Sequence, residues 1–155
     1  MQNSIIVNFN MSDINSKSIA SLILESKKFG NNIALFDEKE YTYNELLNSV
    51  AKIINFLQLN NIHERPIVLF LEKSFEMLSI MFACACTRNF YVPIDVNTPN
   101  NRIIQIISTL RSNPQLDINF EPGEPIIFTD NKHYNERKDI IDSLKIFNLD
   151  ETLDK

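Results

Sequence analysis

The chain has 155 residues and a mass of 18.0 kDa, with 44% hydrophobic, 23% charged and 10% aromatic residues; this is the size and mix of one globular domain, and it excludes collagen-like, disordered and membrane-spanning classes. Fifteen Lys and Arg against 20 Asp and Glu leave a net charge of −5, which argues against a nucleic-acid partner held by phosphate neutralisation. Two glycines, Gly30 and Gly123, stand far apart, so the chain lacks a glycine-rich loop that brings several backbone N–H groups against a phosphate.

Residues 1–15 read as an N-terminal extension. They hold a short apolar stretch around Ile5, Ile6, Val7 and Phe9 but no Lys or Arg before Lys17, the reverse of the order in a signal peptide. From Ser16 to Phe29, Ile19, Leu22 and Ile23 recur at helical spacing, Lys27 and Lys28 suit a helix C-terminus, and Gly30 stands where a left-handed cap is wanted. Ile33 to Phe36 predicts a short strand, Asp37-Glu38-Lys39 a turn, and Tyr41 to Tyr43 a return strand, together a hairpin.

Thr42 followed by Glu45 fits a capping box, so a helix is expected to start there. Its stripe is Leu46, Leu47, Val50, Ile54 and Leu57, and Asn60-Asn61 ends it. After Pro66, Ile67 to Leu71 is apolar at every position, which suits a strand buried on both faces of a parallel sheet. Ser74 caps the next predicted helix, Phe75 to about Thr87, whose few polar positions require enclosure. Its longest uncharged stretch, Met77 to Thr87, is shorter than the roughly 20 residues that cross a bilayer. Cys84 and Cys86, two apart on that helix, point to opposite faces and cannot jointly hold a metal; they read as reduced structural thiols. His63 and His133 have no Cys or His neighbours at ligand spacing and are expected on the surface or in loops. A cytoplasmic location is the expectation.

Tyr91 to Ile94 predicts a second strand, and Asp95 to Pro99 leads into a helix with Thr98 at the cap, Pro99 at its first position and the stripe Ile103, Ile106, Ile107 and Leu110. Asn113 to Glu124 reads as a loop, and Ile126 to Phe128 resumes the sheet. A last helix is expected over about 135–147, with Ile140, Ile141, Leu144 and Phe147 toward the core and Arg137, Lys138, Asp142 and Lys145 toward water; residues 150–155 read as a polar tail. The alternation from Pro66 onward predicts an α/β fold, a small parallel sheet sandwiched between helices on both faces. Ligands of such sheets bind beyond the C-terminal strand ends. Here those ends are Glu72 to Ser74, Ile94 to Thr98 and Thr129 to Lys132.

Two segments carry a family resemblance. Tyr41-Thr42-Tyr43-Asn44-Glu45-Leu46 resembles the first core motif, L-[TS]-Y-x-E-L, of the adenylation domains of nonribosomal peptide synthetases and related acyl-adenylate-forming ligases, with Tyr41 in place of the opening Leu. Tyr91-Val92-Pro93-Ile94-Asp95, with Thr98-Pro99 and Arg102-Ile103, is similar to the second, Y-[VL]-P-[LI]-D-x-x-x-P-x-x-R-I. The likeness runs from about Ile19 to Leu110, and it departs at Arg88, which stands where the family has a turn glycine. It implies that residues 16–149 form a partial N-terminal subdomain of an adenylation domain. It also implies structural roles for Tyr41, Thr42, Tyr43, Glu45, Leu46, Tyr91, Pro93, Asp95, Pro99 and Arg102 rather than reactive ones, with no catalytic, cofactor or metal ligand in this stretch. On the residues themselves, Thr42 and Glu45 cap a helix, Tyr43 and Leu46 pack, Pro93 fixes φ, and Asp95 satisfies backbone donors of the next turn.

An adenylating enzyme must hold ATP phosphates and stabilise charge at the α-phosphate. The resemblance implies that the family's Ser, Thr and Gly-rich phosphate loop, acyl pocket and catalytic lysine lie in sequence beyond these residues. Thr129-Asp130-Asn131-Lys132 resembles the approach to that loop but has no glycine and carries Asp130. The expectation is therefore the N-terminal component of a split adenylation enzyme, inactive alone and completed by a second chain, with ATP and Mg²⁺ bound only in that complex. One alternative is a noncatalytic module that binds a synthetase, condensation domain or carrier protein, with Arg88 as a partner contact and the loop Asn113 to Glu124 as its second motivating feature. The other is a separate function on a similar fold, with Ser74, Glu76, Asp95 and Asp130 as its candidates. No nucleic acid or membrane partner is expected, and exposed apolar surface predicts a homo- or hetero-oligomer.

Overall fold

The computed structural model describes residues 18–112 and 124–149. The expected N-terminal extension, all but the last residue of the loop after Ser112, and the polar tail lie outside them. Helix α1 spans Ile19–Glu25, capped by Ser18, whose Oγ accepts from the Ser21 amide, and it runs on into a 3-10 turn over Ser26–Phe29. Gly30 then takes φ +45 with ψ −103, a positive-φ backbone that favours glycine but not the left-handed helical cap the sequence predicted. The hairpin is β1, Ile33–Asp37, and β2, Lys39–Thr42, paired antiparallel around Glu38. Tyr43, expected in the return strand, is instead the first residue of α2, Tyr43–Leu59, because the capping box turns the chain at Thr42.

The remaining elements are β3 (Pro66–Phe70), α3 (Phe75–Cys86), β4 (Phe90–Pro93), α4 (Asn100–Ser112), β5 (Ile126–Thr129), α5 (Asn131–Ile141) and β6 (Lys145–Asn148). Four of them form a parallel sheet in the order β4-β3-β5-β6. Every residue of β3 and β5 is buried, and alternate side chains serve opposite faces. Ile67 and Leu69 of β3 with Ile126 and Phe128 of β5 join a core with Leu46, Val50, Ile53 and Leu57 of α2 and Ile80, Ala83 and Cys84 of α3. Val68, Phe70 and Ile127 face the other way, onto Ile103 and Ile107 of α4 and Ile141 of α5. The fold is thus α/β in three layers, as predicted, with α2 and α3 on one face and α4 and α5 on the other.

Three sequence expectations are corrected. Residues expected as a helix over about 135–147 divide instead: α5 starts at Asn131, because Asp130 caps it, and ends at Ile141, and Lys145–Asn148 is a strand. The spacing of Ile140, Ile141, Leu144 and Phe147 is compatible with a helix, but pairing with β5 places Ile146 and Phe147 on opposite faces of the sheet. Phe147 then packs its ring 4.9 Å from Phe56 of α2 and 5.5 Å from Phe128. His133, expected on the surface or in a loop, is buried on α5 at 3% exposure. Arg137, expected in water, is half-buried: its Nη2 donates to the Val96 carbonyl at 3.4 Å, and its Nε is buried without a hydrogen-bond partner.

Smaller shifts concern element ends and stripes. In α2, Ile53 is fully buried and Leu47 half-buried, so the stripe is rotated slightly from the predicted one. Helix α4 starts one residue after Pro99, whose carbonyl accepts from the Arg102 and Ile103 amides. At its far end, Arg111 pairs with Glu124 at 3.0 Å and donates to the Ser143 carbonyl at 3.1 Å, tying α4 to the turn before β6.

Candidate functional site

The two motif segments act as joints. In the first, Thr42 Oγ1 accepts from the Glu45 amide at 3.2 Å, while Glu45 Oε2 accepts from the Thr42 amide at 2.8 Å and from its hydroxyl at 2.9 Å. Those two hydrogen bonds from Thr42 hold the Glu45 carboxyl below its ordinary value. Tyr41 stacks on Phe75, the first residue of α3, with ring centroids 3.9 Å apart and planes 8° from parallel. Burial first, then the carboxylates of Glu76, Asp37, Glu38 and Glu45, raise the Tyr41 phenol above its ordinary value. Beside it, Asp37 Oδ2 accepts from the Phe75 amide at 2.7 Å, so the hairpin supplies an acceptor for a helix N-terminal amide that has no partner within α3. Tyr43 lies with its ring 5.2 Å from Phe29, and Leu46 is in the core.

In the second motif, Tyr91 packs against the α2–α3 core from β4, and Pro93 ends that strand exposed. Asp95 Oδ1 accepts from the Asn97 amide at 2.8 Å, and the Asp95 carbonyl accepts from Thr98 at 2.9 Å. Asp95 therefore shapes the turn into α4, the role the sequence suggested for it. Pro99 and Arg102 are exposed at the start of α4. Arg88 has φ +59, a conformation that favours glycine. Its guanidinium is 84% exposed and pairs with Glu64 at 2.5 Å. Asn89, which sequence reasoning did not single out, holds this corner together. Its side chain accepts from the Arg65 amide at 3.1 Å and donates to the Ile62 carbonyl at 3.1 Å and to Thr87 Oγ1 at 2.8 Å.

The order β4-β3-β5-β6 places the topological switch point between β3 and β5, because β3 leads into α3 on one face and β5 into α5 on the other. Ligands of such sheets bind outside the C-terminal strand ends at that point. The crevice there, of about 250 Å³, is lined by Leu71, Glu72, Ser74, Glu76, Asp130 and Leu149. Asp130 caps α5 through Oδ1, which accepts from the His133 amide at 2.8 Å, while its Oδ2 lies 2.7 Å from His133 Nδ1. The other ring nitrogen of His133 is 3.7 Å from Glu72 Oε1, and the ring edge meets Phe70 with centroids 6.0 Å apart. An Asp–His–Glu line thus spans the ends of β5 and β3. Sequence reasoning named Asp130 as a strand-end residue; the capping spacing of Asp130 and His133 was the available signal for the helix start, but not for burial of the imidazole.

Next to it, a second cavity of about 410 Å³ is lined by Leu71, Glu72, Lys73, Met77, Pro93, Ile94, Asp95 and Val96. Ser74 has its Oγ committed to the Met77 amide at 3.2 Å as the α3 cap. Among the described residues, no group of three or more His, Cys, Asp or Glu side chains is placed to hold a metal ion. Burial pushes the Cys84 thiol up to about 12 and the Cys86 thiol also upward, so neither is an activated nucleophile. The carboxylates Glu72, Glu76, Asp95 and Asp130 outnumber Lys73 around these two cavities. This lining offers a phosphate little positive counter-charge: four carboxylates face it against Lys73.

A model of the family described as AMP-binding enzyme matches residues 24–124. The chain belongs to the AMP-binding enzyme family. Among curated relatives, it is 31% identical over 74 residues to a D-alanine–D-alanyl carrier protein ligase of Lactococcus lactis, covering 48% of this chain and 15% of the ligase. It is 32% identical over 74 residues to a mycosubtilin synthase polypeptide of Bacillus subtilis, covering 47% of this chain and 3% of that protein. The matched stretch is therefore less than a sixth of either relative's length. The fold is that of adenylation domains: VinN in complex with 3-methylaspartate superposes with a TM-score of 0.72 at 18% identity, over 87% of this chain and 35% of VinN. An artificially fused adenylation–PCP di-domain from Klebsiella oxytoca gives 0.70 at 19% identity, over 90% of this chain and 24% of the fusion. No helix among the described residues is long and apolar enough to cross a membrane.

Proposed function

We propose that these residues are the N-terminal component of an amino-acid or aryl-acid adenylation enzyme of nonribosomal peptide biosynthesis, working in the cytoplasm. A complementary chain brings the phosphate loop, the acyl pocket and the catalytic lysine. The observation that carries this reading is the carboxylate-lined switch-point crevice in a chain of the AMP-binding family. The edge where a nucleotide is expected on such a sheet holds Glu72, Glu76 and Asp130 around a buried His133, a lining that repels phosphates. What the chain's own residues do is position. Thr42, Glu45, Asp37 and Tyr41 lock the hairpin to α2 and α3, and Asp95 sets the β4–α4 turn. ATP and Mg²⁺ bind only when the complementary chain is present, and a carrier protein receives the product of that pair.

Co-expression with a complementary adenylation fragment tests the proposal. Acid-dependent exchange of pyrophosphate into ATP by the pair, with neither chain active alone, is the expected result. Exchange catalysed by the purified 155-residue chain overturns it. The interaction-module reading keeps Arg88 as its candidate contact, since the guanidinium is 84% exposed beside Glu64.

A further inference from the structure

We propose that His133 is a proton-operated tie: it draws the Glu72 side chain over the switch-point crevice when the ring is charged and releases it to water when the ring is neutral. The ring is 3% exposed and stands between Asp130, at the end of β5, and Glu72, after β3. Its Nδ1 lies 2.7 Å from Asp130 Oδ2, and an ionised carboxylate only accepts, so the neutral ring carries its proton on Nδ1. Nε2 is then a lone pair. It faces Glu72 Oε1 at 3.7 Å, beyond hydrogen-bond reach, and two acceptors gain nothing by closing that gap. A second proton, on Nε2, makes the ring a donor at both ends. The imidazolium then lies between two carboxylates, the pairing a buried charge requires, and the Glu72 contact tightens.

Of the two carboxylates, Glu72 is the one able to move. Its side chain is 64% exposed, whereas Asp130 is also held by the His133 amide, which donates to Oδ1 at 2.8 Å. Leu71 and Glu72 line both the crevice of about 250 Å³ and the cavity of about 410 Å³. The Glu72 carboxylate therefore stands where the two meet, and its position sets the charge presented at that junction. Two further charged groups bear on the ring. Glu76, at the start of α3, lines the same crevice, and Arg137, one turn along α5, is a cation that opposes a second proton. The strands and helix packed against α5 add no rival carboxylate among the described residues. Strand β5 carries no charged residue, and the charged residues of α4 and β6, Arg102, Arg111 and Lys145, are exposed. This inference does not rest on the split-enzyme reading.

The experiment takes nitrogen-15 and proton spectra of the full 155-residue chain between about pH 8 and pH 5, the range in which histidines change charge. The expected result is a neutral His133 ring protonated on Nδ1. As the second proton binds, the nuclear Overhauser contact between the His133 ring protons and the Glu72 γ-protons should strengthen. Glu72→Gln separates this tie from a merely structural ring. Its amide can donate to the neutral Nε2 and its carbonyl can accept from the charged ring, so the contact should be present at both ends of the range and its pH dependence lost. A neutral ring protonated on Nε2 overturns the proposal, because that ring reaches Glu72 without a second proton. So does a ring that keeps one charge state throughout, or a wild-type contact that does not change with pH. The same pH dependence in Glu72→Gln as in wild type also overturns it, since the tie would then not run through the carboxylate.

Discussion

Replacing Asp37 tests whether the hairpin is fastened to the parallel layer through the N-terminus of α3. Asp37 Oδ2 lies 2.7 Å from the Phe75 amide, which is the first amide of α3 and belongs to a residue only 8% exposed. Ser74 already serves the Met77 amide, so in Asp37→Ala the Phe75 amide loses its acceptor. A hydrogen bond to a charged acceptor contributes about 1.5–3 kcal/mol, and the favourable placement of a carboxylate at a helix N-terminus is already part of that figure. The expected loss is about 2 kcal/mol for Asp37→Ala. Asp37→Asn keeps an oxygen in place and removes only the charge, so its loss is about 1 kcal/mol or less. Equilibrium urea unfolding followed by circular dichroism reads both, with an unchanged slope certifying that the transition is the same one. Because Tyr41 stacks on Phe75 in the same joint, Asp37→Ala and Tyr41→Ala should be non-additive in a double-mutant cycle. A loss below about 0.5 kcal/mol for Asp37→Ala, or equal losses for the Ala and Asn variants, refutes the joint as described.

Glu45→Gln is expected to flatten the acid side of the stability profile. The folded carboxyl sits below its ordinary value because of the two bonds from Thr42, so its contribution is fully present above the unfolded-state pKa and is lost as pH falls through the depressed folded value. Urea midpoints of wild type and variant should converge in acid and separate toward neutrality; parallel profiles contradict the capping account. Cys84 and Cys86 should both react with a thiol reagent far more slowly in the native chain at pH 7 than in urea, Cys84 the slower of the two, since its thiol is pushed up to about 12 and it is fully buried. Rapid native labelling of Cys84 shows that α3 is not packed as described. Arg88→Gly should be neutral or stabilising by up to about 1 kcal/mol, since relief of a positive φ outweighs an exposed ion pair. A loss of more than about 1 kcal/mol shows that the Glu64 pair carries more than an exposed pair does.

What was legible in the sequence was local. The box of Thr42 and Glu45 acts across three residues, Ser74 caps α3 through Met77, and β3 declares itself by five consecutive apolar positions. Each is decided by neighbours along the chain, and each was read in its right place. The misread stretch was decided at a distance. Lys145–Asn148 pairs with β5, nineteen positions earlier in register, and Phe147 finds Phe56 across the sheet. The spacing of Leu144 and Phe147 fits a helix face equally well, so only the partner strand decides. His133 is buried for the same kind of reason, through Phe70 and Glu72 on the far side of the switch point. The family resemblance was legible because its motif residues form the joints, and Tyr41, its one departure in the first motif, has a physical account in the stack on Phe75.

The two motifs can be understood together from where they attach. The first, through Tyr41 and with Asp37 of the neighbouring strand, fastens the hairpin to the start of α3, and the second fixes the turn between β4 and α4 by Asp95. Both junctions sit at the C-terminal ends of adjacent strands, β3 and β4, and both fix how the chain leaves the sheet. A third, Asp130 with His133 and Glu72, closes the gap between β5 and β3 on the other side. The edge on which a ligand of this sheet would rest is therefore lined mainly by carboxylates. Asp37 and Asp95 are committed to backbone amides and Asp130 to an amide and a buried imidazole, so these three carboxylates are held in place. Asp37, Asp95 and Asp130 are thus the fixed points that hold the strand-end loops in register.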